Sequence, residues 1–279
     1  MDIKFPKEVI ALPVQGVKVI FPDNNKVTLT EAGYVLEKHA FEKWLSGEAQ
    51  NAGAEISMST RVTGLARENN IWVIQTTQGV CKARMVLDGS GAAGVANRML
   101  NMNERFKVTT GIQYELLDIP QEGYLDFYLW PRLSPFGYLW MIPKNDGRAN
   151  VGLVTTEIPK AKVYLDQFVK EMGWETKTKV KTFGGPIPSS GPVKNTYNDG
   201  ILLIGDAAGF TSPLFEGGTQ LGLISGRMAA ETAKDALTQN RTDKQFLSIY
   251  EKKWRAEFPS YDRIIKGKDA LYRFSEEDI

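Results

Sequence analysis

Residues 198–237 read NDGILLIGDAAGFTSPLFEGGTQLGLISGRMAAETAKDAL, and this stretch decides the fold class. An apolar run at 201–204 ends in the pair Gly205-Asp206, which predicts a strand with a carboxylate at its carboxyl end. Ligands bind at that edge of open α/β sheets. The pair Gly217-Gly218 then removes two Cβ atoms before a long helix, whose N-terminus presents unpaired N–H groups. The stretch therefore predicts a site for a polyhydroxylated, electron-rich ligand.

The helix that follows this loop carries a face without bulk. Gly218, Gly222 and Gly226 recur every four residues, and each glycine costs about 1 kcal/mol in helix propensity. A face of that kind predicts a close neighbour. The alternative is a strand–loop–helix unit whose glycines only permit packing, and the pattern by itself leaves that alternative open.

Composition argues against several classes of protein. The chain has 279 residues, with 34 Lys and Arg against 33 Asp and Glu, and its formal charge of +1 predicts no attraction to nucleic acid. With Cys81 as the only cysteine and His39 as the only histidine, no intrachain disulfide or metal site is expected. Neither a membrane span nor a signal peptide is recognisable. We expect a soluble, cytoplasmic protein and leave peripheral contact with a membrane open.

A second strand–turn–helix unit comes earlier in the chain. Residues 61–87 predict three strands, and the last ends in Asp88-Gly89-Ser90-Gly91 before a short helix that reaches Leu100. A tight turn between strand and helix explains this pattern about as well as a binding site does. Two such turns in one chain strengthen each other, because both could line one crevice.

The other predicted elements alternate between β and α. In chain order they are a hairpin at 17–30, a helix at 37–52, a strand starting at 54–56, an antiparallel region rich in aromatic residues at 107–154, a helix at 161–172 with Val163, Leu165, Phe168 and Val169 as its core face, a strand at 178–192, an amphipathic tail at 243–272 and a helix start at Ser275. No linker separates two halves, so we expect one domain inserted in another. His39 is expected at the surface and Cys81 half-buried.

Three features of the sequence resemble the geranylgeranyl reductase family. They are the turn at 88–91, the Gly-Asp–Pro–Gly-Gly–helix unit at 205–218, and the segment Tyr138-x-Trp140-x-Ile142-Pro143. That family belongs to the FAD enzymes with the p-hydroxybenzoate hydroxylase fold, and the resemblance runs from about Val19 to Ile279. The implied fold is α/β, with a partial FAD-binding domain and an interleaved antiparallel β-sheet substrate domain.

The resemblance also implies a cofactor site. In the family the aspartate at the position of Asp206 binds the ribityl chain of FAD, and the backbone of 216–218 faces the pyrimidine edge of the isoalloxazine. The residues implied to bind the cofactor are Gly205, Asp206, Pro213, Glu216, Gly217, Gly218, Asp88, Gly89 and Lys38. Lys38 stands where the family has an arginine, so it keeps the charge but loses the planar fork.

An isoprenoid cavity is implied at the aromatic segment. Its expected lining residues are Tyr138, Trp140, Ile142, Pro143 and Gly152. Ile142 stands where the family has Phe, and Val154 stands where the family has the second Gly of a Gly-x-Gly pair. No side chain is expected to be catalytic, because the flavin N5 carries the hydride, and no metal is expected.

The family pattern assigns 34–100 and 196–240 to the FAD-binding domain, 1–33 and 101–195 to the substrate domain, and 241–279 to a C-terminal helical segment. Family members begin with a strand, a GxGxxG turn and a helix that hold the FAD pyrophosphate. We expect this chain to lack that unit and to stop at the start of a helix, as a member without both ends.

The resulting hypothesis is an FAD-dependent reductase of carbon–carbon double bonds in a polyprenyl lipid. The hydrogen acceptor could be an archaeal-type lipid precursor, a chlorophyll side chain or a quinone tail. The electron donor could be NAD(P)H or ferredoxin. A second hypothesis is another flavoprotein of the same fold, such as an aromatic monooxygenase, a halogenase or a quinone-linked dehydrogenase. A third is a non-catalytic fragment that cannot hold FAD alone.

Overall fold

The computed structural model describes residues 5–105, 107–212, 214–276 and 278. Within those residues the strands are β1 Ile10–Ile20, β2 Lys26–Leu36, β3 Val62–Glu68, β4 Ile71–Thr76, β5 Gly79–Ala83, β6 Val86–Asp88, β7 Val108–Leu116, β8 Tyr124–Tyr128, β9 Tyr138–Pro143, β10 Ala149–Thr155, β11 Lys179–Pro188, β12 Tyr197–Asn198 and β13 Ile201–Leu203. The α-helices are α1 Lys38–Asn51, α2 Val95–Leu100, α3 Ala161–Glu171, α4 Thr219–Thr238, α5 Lys244–Glu257 and α6 Tyr261–Leu271. In this part of the chain no helix combines the length and the hydropathy that a bilayer crossing needs.

The chain divides into two units that alternate along the sequence. The large-sheet unit contains the described residues of 1–56, 109–186 and 269–279, and the parallel-strand unit contains those of 57–108 and 187–268. These bounds differ from the expected domain bounds most clearly in two places. Residues 34–56 belong to the large-sheet unit, where β2 pairs with β1, and residues 241–268 belong to the parallel-strand unit, where α5 joins the core.

The large-sheet unit is built on a seven-stranded sheet in the order β11-β7-β10-β9-β8-β1-β2. β1 pairs with β8 in parallel, while β1 with β2 and the pairs among β7, β8, β9 and β10 are antiparallel. Because side chains alternate across a strand, Tyr114, Leu139 and Leu153 share one face. That face packs with Leu165 and Phe168 of α3 in a core whose members are almost fully buried.

An ion network ties α1 to the far end of this sheet. Glu37 precedes α1 and accepts from Lys144 Nζ at 3.1 Å and from an Arg148 guanidinium nitrogen at 2.6 Å. Arg148 also donates to Glu115 at 2.9 Å. Burial opposes ionisation of Glu37, but the hydrogen bonds from the two cations outweigh it and hold the pKa of Glu37 below its usual value. The network fixes where the chain leaves β2.

The parallel-strand unit holds the stretch that decides the fold class. β13 pairs in parallel with β6, and β12 continues that small sheet on the other side, while β3, β4 and β5 form a separate meander. Helices α4 and α5 cover β13, whose residues are fully buried. The hydroxyl of Tyr250 on α5 donates to the carbonyl of Leu203 at 2.8 Å, and burial raises the pKa of Tyr250. The predicted α/β class with an antiparallel sheet interleaved is confirmed.

Several local predictions are wrong. Residues 54–56 form no strand. The strand predicted to run into Asp88 divides into β5 and β6, because the two halves pair in different sheets. Val163 is 63% exposed, since two residues along a helix turn a side chain through about 200° and place it opposite Leu165. Cys81 is exposed rather than half-buried.

Other predictions on the helices agree with the structure. The helices at 37–52 and 161–172 correspond to α1 and α3, and His39 is exposed. The amphipathic tail forms two helices, α5 and α6, with Pro259 between them. The helix start expected at Ser275 lies partly outside the described residues, and the backbone N–H of Ser275 donates to Asp278 at 2.8 Å.

Asp126 is a carboxylate that the large sheet leaves poorly compensated. It lies in β8 beside Lys18 of β1. The Lys18 ammonium group pairs with Glu122 and lies 4.4 Å from the ring centroid of Tyr124. The Oδ1 atom of Asp126 is buried and has no hydrogen-bond partner among the described residues. Burial therefore raises the pKa of Asp126 to about 6, although the charge of Lys18 acts to lower it.

The variant Asp126→Asn is expected to lose a pH dependence of stability between about pH 4 and about pH 6. In that window the folded wild type keeps a proton that the unfolded chain releases. Its free energy of unfolding therefore falls as the pH rises, and levels off above the folded pKa. Urea denaturation across the window measures the effect. The exposed Asp118→Asn is the control and should retain the wild-type slope; equal slopes for Asp126→Asn and wild type would contradict the assignment.

Candidate functional site

The loop after β13 is anchored to helix α4 by its backbone. Gly205 has φ +53° and opens a short 3-10 helix, Gly205–Ala208. The backbone N–H of Gly205 donates to Ser225 Oγ at 3.0 Å, and this hydroxyl donates to the Gly222 carbonyl at 3.0 Å. A Cβ on Gly205 would lie 3.6 Å from the Cα of Gly222. The end of β13 and helix α4 are thus held with their backbones in contact.

Asp206 lies against the first residues of the same helix. A Cβ built on Gly218 would lie 2.7 Å from Asp206 Oδ1, closer than real Cβ atoms come to an oxygen. Gly218 precedes the first turn of α4, so the carboxylate lies next to the helix N-terminus. The expected close neighbour of the glycine face is therefore present at Gly218 and Gly222, whereas a Cβ on Gly226 would meet nothing within 4 Å.

The loop between the 3-10 helix and α4 closes on itself. The hydroxyl of Thr211 donates to the Pro188 carbonyl at 2.7 Å, and the backbone N–H of Ser212 donates to the Gly217 carbonyl at 2.8 Å. Gly217 is exposed, and a Cβ there would meet nothing within 4 Å, so open space lies beside it. Pro213, which was expected to bind the cofactor, lies outside the described residues.

Glu216 makes a contact that the sequence does not reveal. Its carboxylate accepts from Lys268 Nζ of α6 at 3.0 Å, and only 4% of the Glu216 side chain and 6% of the Lys268 side chain are exposed. Glu216 also has φ +46°, a left-handed conformation that is unusual for a residue with a Cβ. The ion pair fixes the loop in front of Gly217. A lysine in an amphipathic helix usually lies at the surface, so no local pattern indicates this partner.

The turn after β6 has a spacing that our reading of the sequence missed. Residues 89–94 read GSGAAG, which fits G-x-G-x-x-G after a strand and before a helix. Some of the backbone N–H groups in and after this turn are bound within the chain. Asp88 accepts from the backbone N–H groups of Ser90 at 2.9 Å and Ala96 at 2.8 Å, and Ser90 Oγ accepts from Val95 N–H at 2.8 Å. Asp88 and Ser90 thus cap the start of α2, which is only six residues long.

Asp88 and Gly89 also help to align the two strands beside the site. The carbonyl of Asp88 accepts from the Ile204 N–H at 3.0 Å, which aligns the two strand ends. A Cβ on Gly89 would approach Ile204 at 3.4 Å. Lys38 belongs to the large-sheet unit, where it begins α1, is 64% exposed at its side chain and lies 3.8 Å from Glu42.

The expected aromatic residues share one face of the large sheet. Tyr138, Trp140 and Ile142 alternate in β9 and point to the side opposite the α3 core. The rings of Tyr138 and Trp140 have centroids 5.7 Å apart, and Phe127 of β8 adds an edge contact to Tyr138 at 5.5 Å. Ile142 packs against the cluster of Ala11, Val14 and Val35. Pro143 ends β9 and is buried.

Gly152 makes room for the indole of Trp140. A Cβ there would lie 2.6 Å from Trp140 Cζ2 and 2.5 Å from Gln113 Cβ. The indole N–H of Trp140 donates to Gln113 Oε1 at 3.0 Å. Gln113 was not expected from the sequence, and only the register that sets it opposite Gly152 brings it there. The result is an aromatic face with a satisfied polar pair.

The two candidate regions, each within its own unit, suit different ligands. A carboxylate beside a helix N-terminus, with open space at Gly217, suits a hydroxylated ligand whose electron-rich part lies at the helix. An aromatic sheet face suits an apolar ligand. Among the described residues no group of three or more His, Cys, Asp and Glu side chains lies together as metal ligands would.

Comparison with solved structures defines the class of the fold. CmlS, a flavin-dependent halogenase, matches 96% of this chain and 54% of its own with a TM-score of 0.76 at 19% identity. A geranylgeranyl bacteriochlorophyll reductase-like protein from Thermoplasma acidophilum matches 99% of this chain and 75% of its own, with a TM-score of 0.92 and 28% identity. The chain thus has the fold of flavin-dependent enzymes.

Sequence comparison narrows this class to a family. Residues 107–186 match the geranylgeranyl reductase catalytic domain. The digeranylgeranylglycerophospholipid reductase of Methanocaldococcus jannaschii is 31% identical over 95% of this chain and 72% of its own length. A second reductase of that name, from Methanothermobacter thermautotrophicus, is 32% identical over 88% of this chain and 67% of its own. The chain belongs to the geranylgeranyl reductase family, as the sequence motifs predicted.

The variant Gly152→Ala is expected to displace the Trp140 indole and to lower stability by about 1–3 kcal/mol, the usual range for overpacking. The added methyl group has no space, because backbone and side-chain atoms lie within 2.6 Å of its position. Denaturant titration gives the stability. The control is Gly185→Ala in β11, where a Cβ meets nothing within 4 Å, and should be nearly neutral. Equal stability of the two variants would contradict the packing role.

The variant Lys268→Met is expected to lower stability by about 3–5 kcal/mol, the usual cost of removing one partner from a buried ion pair. It leaves the carboxylate of Glu216 buried without this cation. The double variant Glu216→Gln/Lys268→Met should recover part of the loss, as a double-mutant cycle measures. Lys253→Met breaks a more exposed pair with Glu231 and should cost about 1 kcal/mol or less. A similar small cost for Lys268→Met would show that the buried pair is not important for stability.

Proposed function

We propose that this chain binds FAD and reduces carbon–carbon double bonds of a geranylgeranyl-type polyprenyl lipid. The observation that carries the proposal is the aromatic face of β8 and β9, in a chain whose relatives are named digeranylgeranylglycerophospholipid reductases. An apolar substrate gains affinity from such a face, because burial of its surface contributes about 25 cal/mol per Å². The proposal makes the lipid the substrate and the sheet face its binding surface.

The residues near α4 fit the flavin half of FAD. Asp206 is placed to accept hydrogen bonds from the ribityl hydroxyl groups, as a carboxylate beside a helix N-terminus can do. Gly217 leaves room for a flat ring, since a Cβ there would meet nothing within 4 Å. The positive end of the α4 dipole favours a negatively charged group at this place. FAD supplies the hydride when it is bound and reduced, and the protein supplies position.

Side chains of the sheet face would position the lipid and exclude water. Tyr138 is 3% exposed and Trp140 is 8% exposed, and the Trp140–Gln113 hydrogen bond fixes the indole plane. A rigid ring can align one double bond of a flexible chain, and correct orientation accounts for a large part of catalysis in such reactions. We therefore assign Trp140 and Tyr138 a binding role, and no side chain the role of acid or base.

The other flavoprotein activities have weaker support. The likeness to CmlS at 19% identity describes the fold, and one fold supports many activities. The electron donor, NAD(P)H or ferredoxin, stays a prediction, as does contact with a membrane surface. The location in the cytoplasm is a prediction of the same kind.

Binding of FAD is expected to depend on Asp206. The variant Asp206→Ala should weaken FAD binding about tenfold to a hundredfold, since it removes acceptors of charge-assisted hydrogen bonds. Titration with FAD, followed by flavin fluorescence, measures the change. Asp235→Ala, an exposed aspartate near the end of α4, is the matched control and should bind as wild type does. Failure of the wild-type protein to take up FAD would contradict activity of this chain on its own.

Reduction of the lipid is tested without oxygen. The FAD-loaded protein is reduced with dithionite and mixed with a geranylgeranyl lipid, and recovery of the oxidised flavin spectrum is followed together with the mass of the lipid. We expect the lipid to gain two hydrogens for each flavin reoxidised. Oxygen consumption that depends on an aromatic substrate, with an unchanged lipid, would instead support a monooxygenase.

A further inference from the structure

The edge strand of the large sheet exposes an apolar face. In β2, Val27 is 50% exposed and Leu29 is 55% exposed, and both alternate with the polar residues Lys26, Thr28 and Thr30. An edge strand usually carries polar or charged side chains on its exposed positions, which limits association. The alternation gives β2 one polar and one apolar side, and the apolar side has no cover at these two positions.

Strand register connects this exposed edge to the aromatic face. Phe127 of β8 is the partner of Trp140 of β9, Val19 of β1 is the partner of Phe127, and Val27 of β2 is the partner of Val19. Cross-strand partners point to the same side of a sheet. Trp140, Phe127, Val19 and Val27 therefore form one apolar row that begins at the buried indole and ends at the exposed edge.

A second row runs beside the first. Leu125 of β8 is the partner of Val17 in β1, and Val17 is the partner of Leu29 in β2. Leu125, and Ile142 of β9, both pack against the cluster of Ala11, Val14 and Val35. The two rows lie side by side and both end at β2, where Val27 and Leu29 stand two residues apart. Together they form a continuous apolar strip, which we call the apolar track.

The opposite side of the same strands is polar beside Val27 and Leu29, and becomes apolar at Ile20 and Tyr128, which pack in the core with α3. Lys18 of β1 is the partner of Thr28 in β2 and of Asp126 in β8. Lys26 and Glu122 add further charge on or beside that side. The apolar track is therefore a property of one face and does not result from a generally apolar hairpin. Thr28, exposed between Val27 and Leu29 but on the polar face, offers a matched position for a control.

The length of the track fits a long prenyl chain. Three strand spacings separate Trp140 from Val27, and at about 4.8 Å each they give about 14 Å. A chain of two isoprene units with one end near Trp140 is too short to reach the edge, whereas a geranylgeranyl chain of four units is long enough.

We infer that the apolar track binds the distal isoprene units of the polyprenyl substrate, with Val27 and Leu29 as the residues that select for chain length. The inference rests on the proposed function and assigns it a specificity-determining surface. Contact with the distal units adds buried apolar area only for long chains, so long chains gain affinity and short ones do not.

Binding of prenyl alcohols of two lengths tests the inference. The FAD-loaded protein is titrated with geraniol and with geranylgeraniol, and calorimetry gives the two affinities. The double variant Val27→Gln/Leu29→Gln should weaken binding of geranylgeraniol about tenfold and leave that of geraniol unchanged. Thr28→Gln should leave both unchanged. A geranylgeranyl probe with a photoreactive diazirine at its distal end should label residues 26–30 in the wild type.

The outcomes separate the two proposals. Wild-type protein that binds neither alcohol would contradict the proposed function. A second outcome would overturn the apolar track and leave the proposed function standing. In it the wild type prefers geranylgeraniol, the double variant binds geranylgeraniol as tightly as the wild type does, and the probe labels residues outside 26–30. Equal losses in Thr28→Gln and in the double variant would assign the effect to the hairpin as a whole and would also overturn it. Binding of the wild type to lipid vesicles, abolished in the double variant with unchanged alcohol affinities, would identify a membrane contact instead.

Discussion

The close approach of two backbones is the constraint on which the parallel-strand unit depends. The end of β13 turns at Gly205 and lies against Gly222 of α4, and Gly218 gives Asp206 its space. A Cβ at Gly218 would collide with the carboxylate, and the hydroxyl of Ser225 satisfies the N–H that the turn exposes. Strand end, carboxylate and helix N-terminus are thus fixed together. Any ligand that binds there meets a preformed site, so little ordering has to be paid for on binding.

Two aspartates that follow strands in the same sheet have different roles because their surroundings differ. Asp88 accepts from two backbone N–H groups of its own turn and holds the start of α2. Asp206 lies at the N-terminus of a twenty-residue helix, at the edge of an open space. The pattern G-x-G-x-x-G at 89–94 has the spacing of a dinucleotide turn, while Asp88 and Ser90 beside it cap the helix that follows. A motif indicates a conformation, and only the partners of its polar groups decide its function.

Sequence periodicity predicted what depends on neighbours along the chain. The glycines of α4 predicted a close neighbour, which the structure shows at Gly218 and Gly222. The family resemblance implied that Tyr138, Trp140 and Ile142 line one cavity, and the structure places them on one face of β9. Long-range contacts were not predictable, because nothing local specifies them. The pair of Glu216 with Lys268 spans 52 residues, and the indole of Trp140 meets Gln113 only through the register of three strands. The exposed Val163 shows that an apolar residue in a helix need not face the core.

The two units would select their ligands in different ways. At α4 the proposed FAD site depends on missing side chains, since glycines would let a ligand approach the backbone closely. On the large sheet the proposed lipid site depends on side chains that are present, since aromatic and aliphatic residues extend in register from β9 to β2. An enzyme whose chemistry resides in a cofactor needs few reactive side chains of its own. Its specificity then follows from shape, and a change of one methyl group at Gly152 or at β2 alters shape without touching the chemistry.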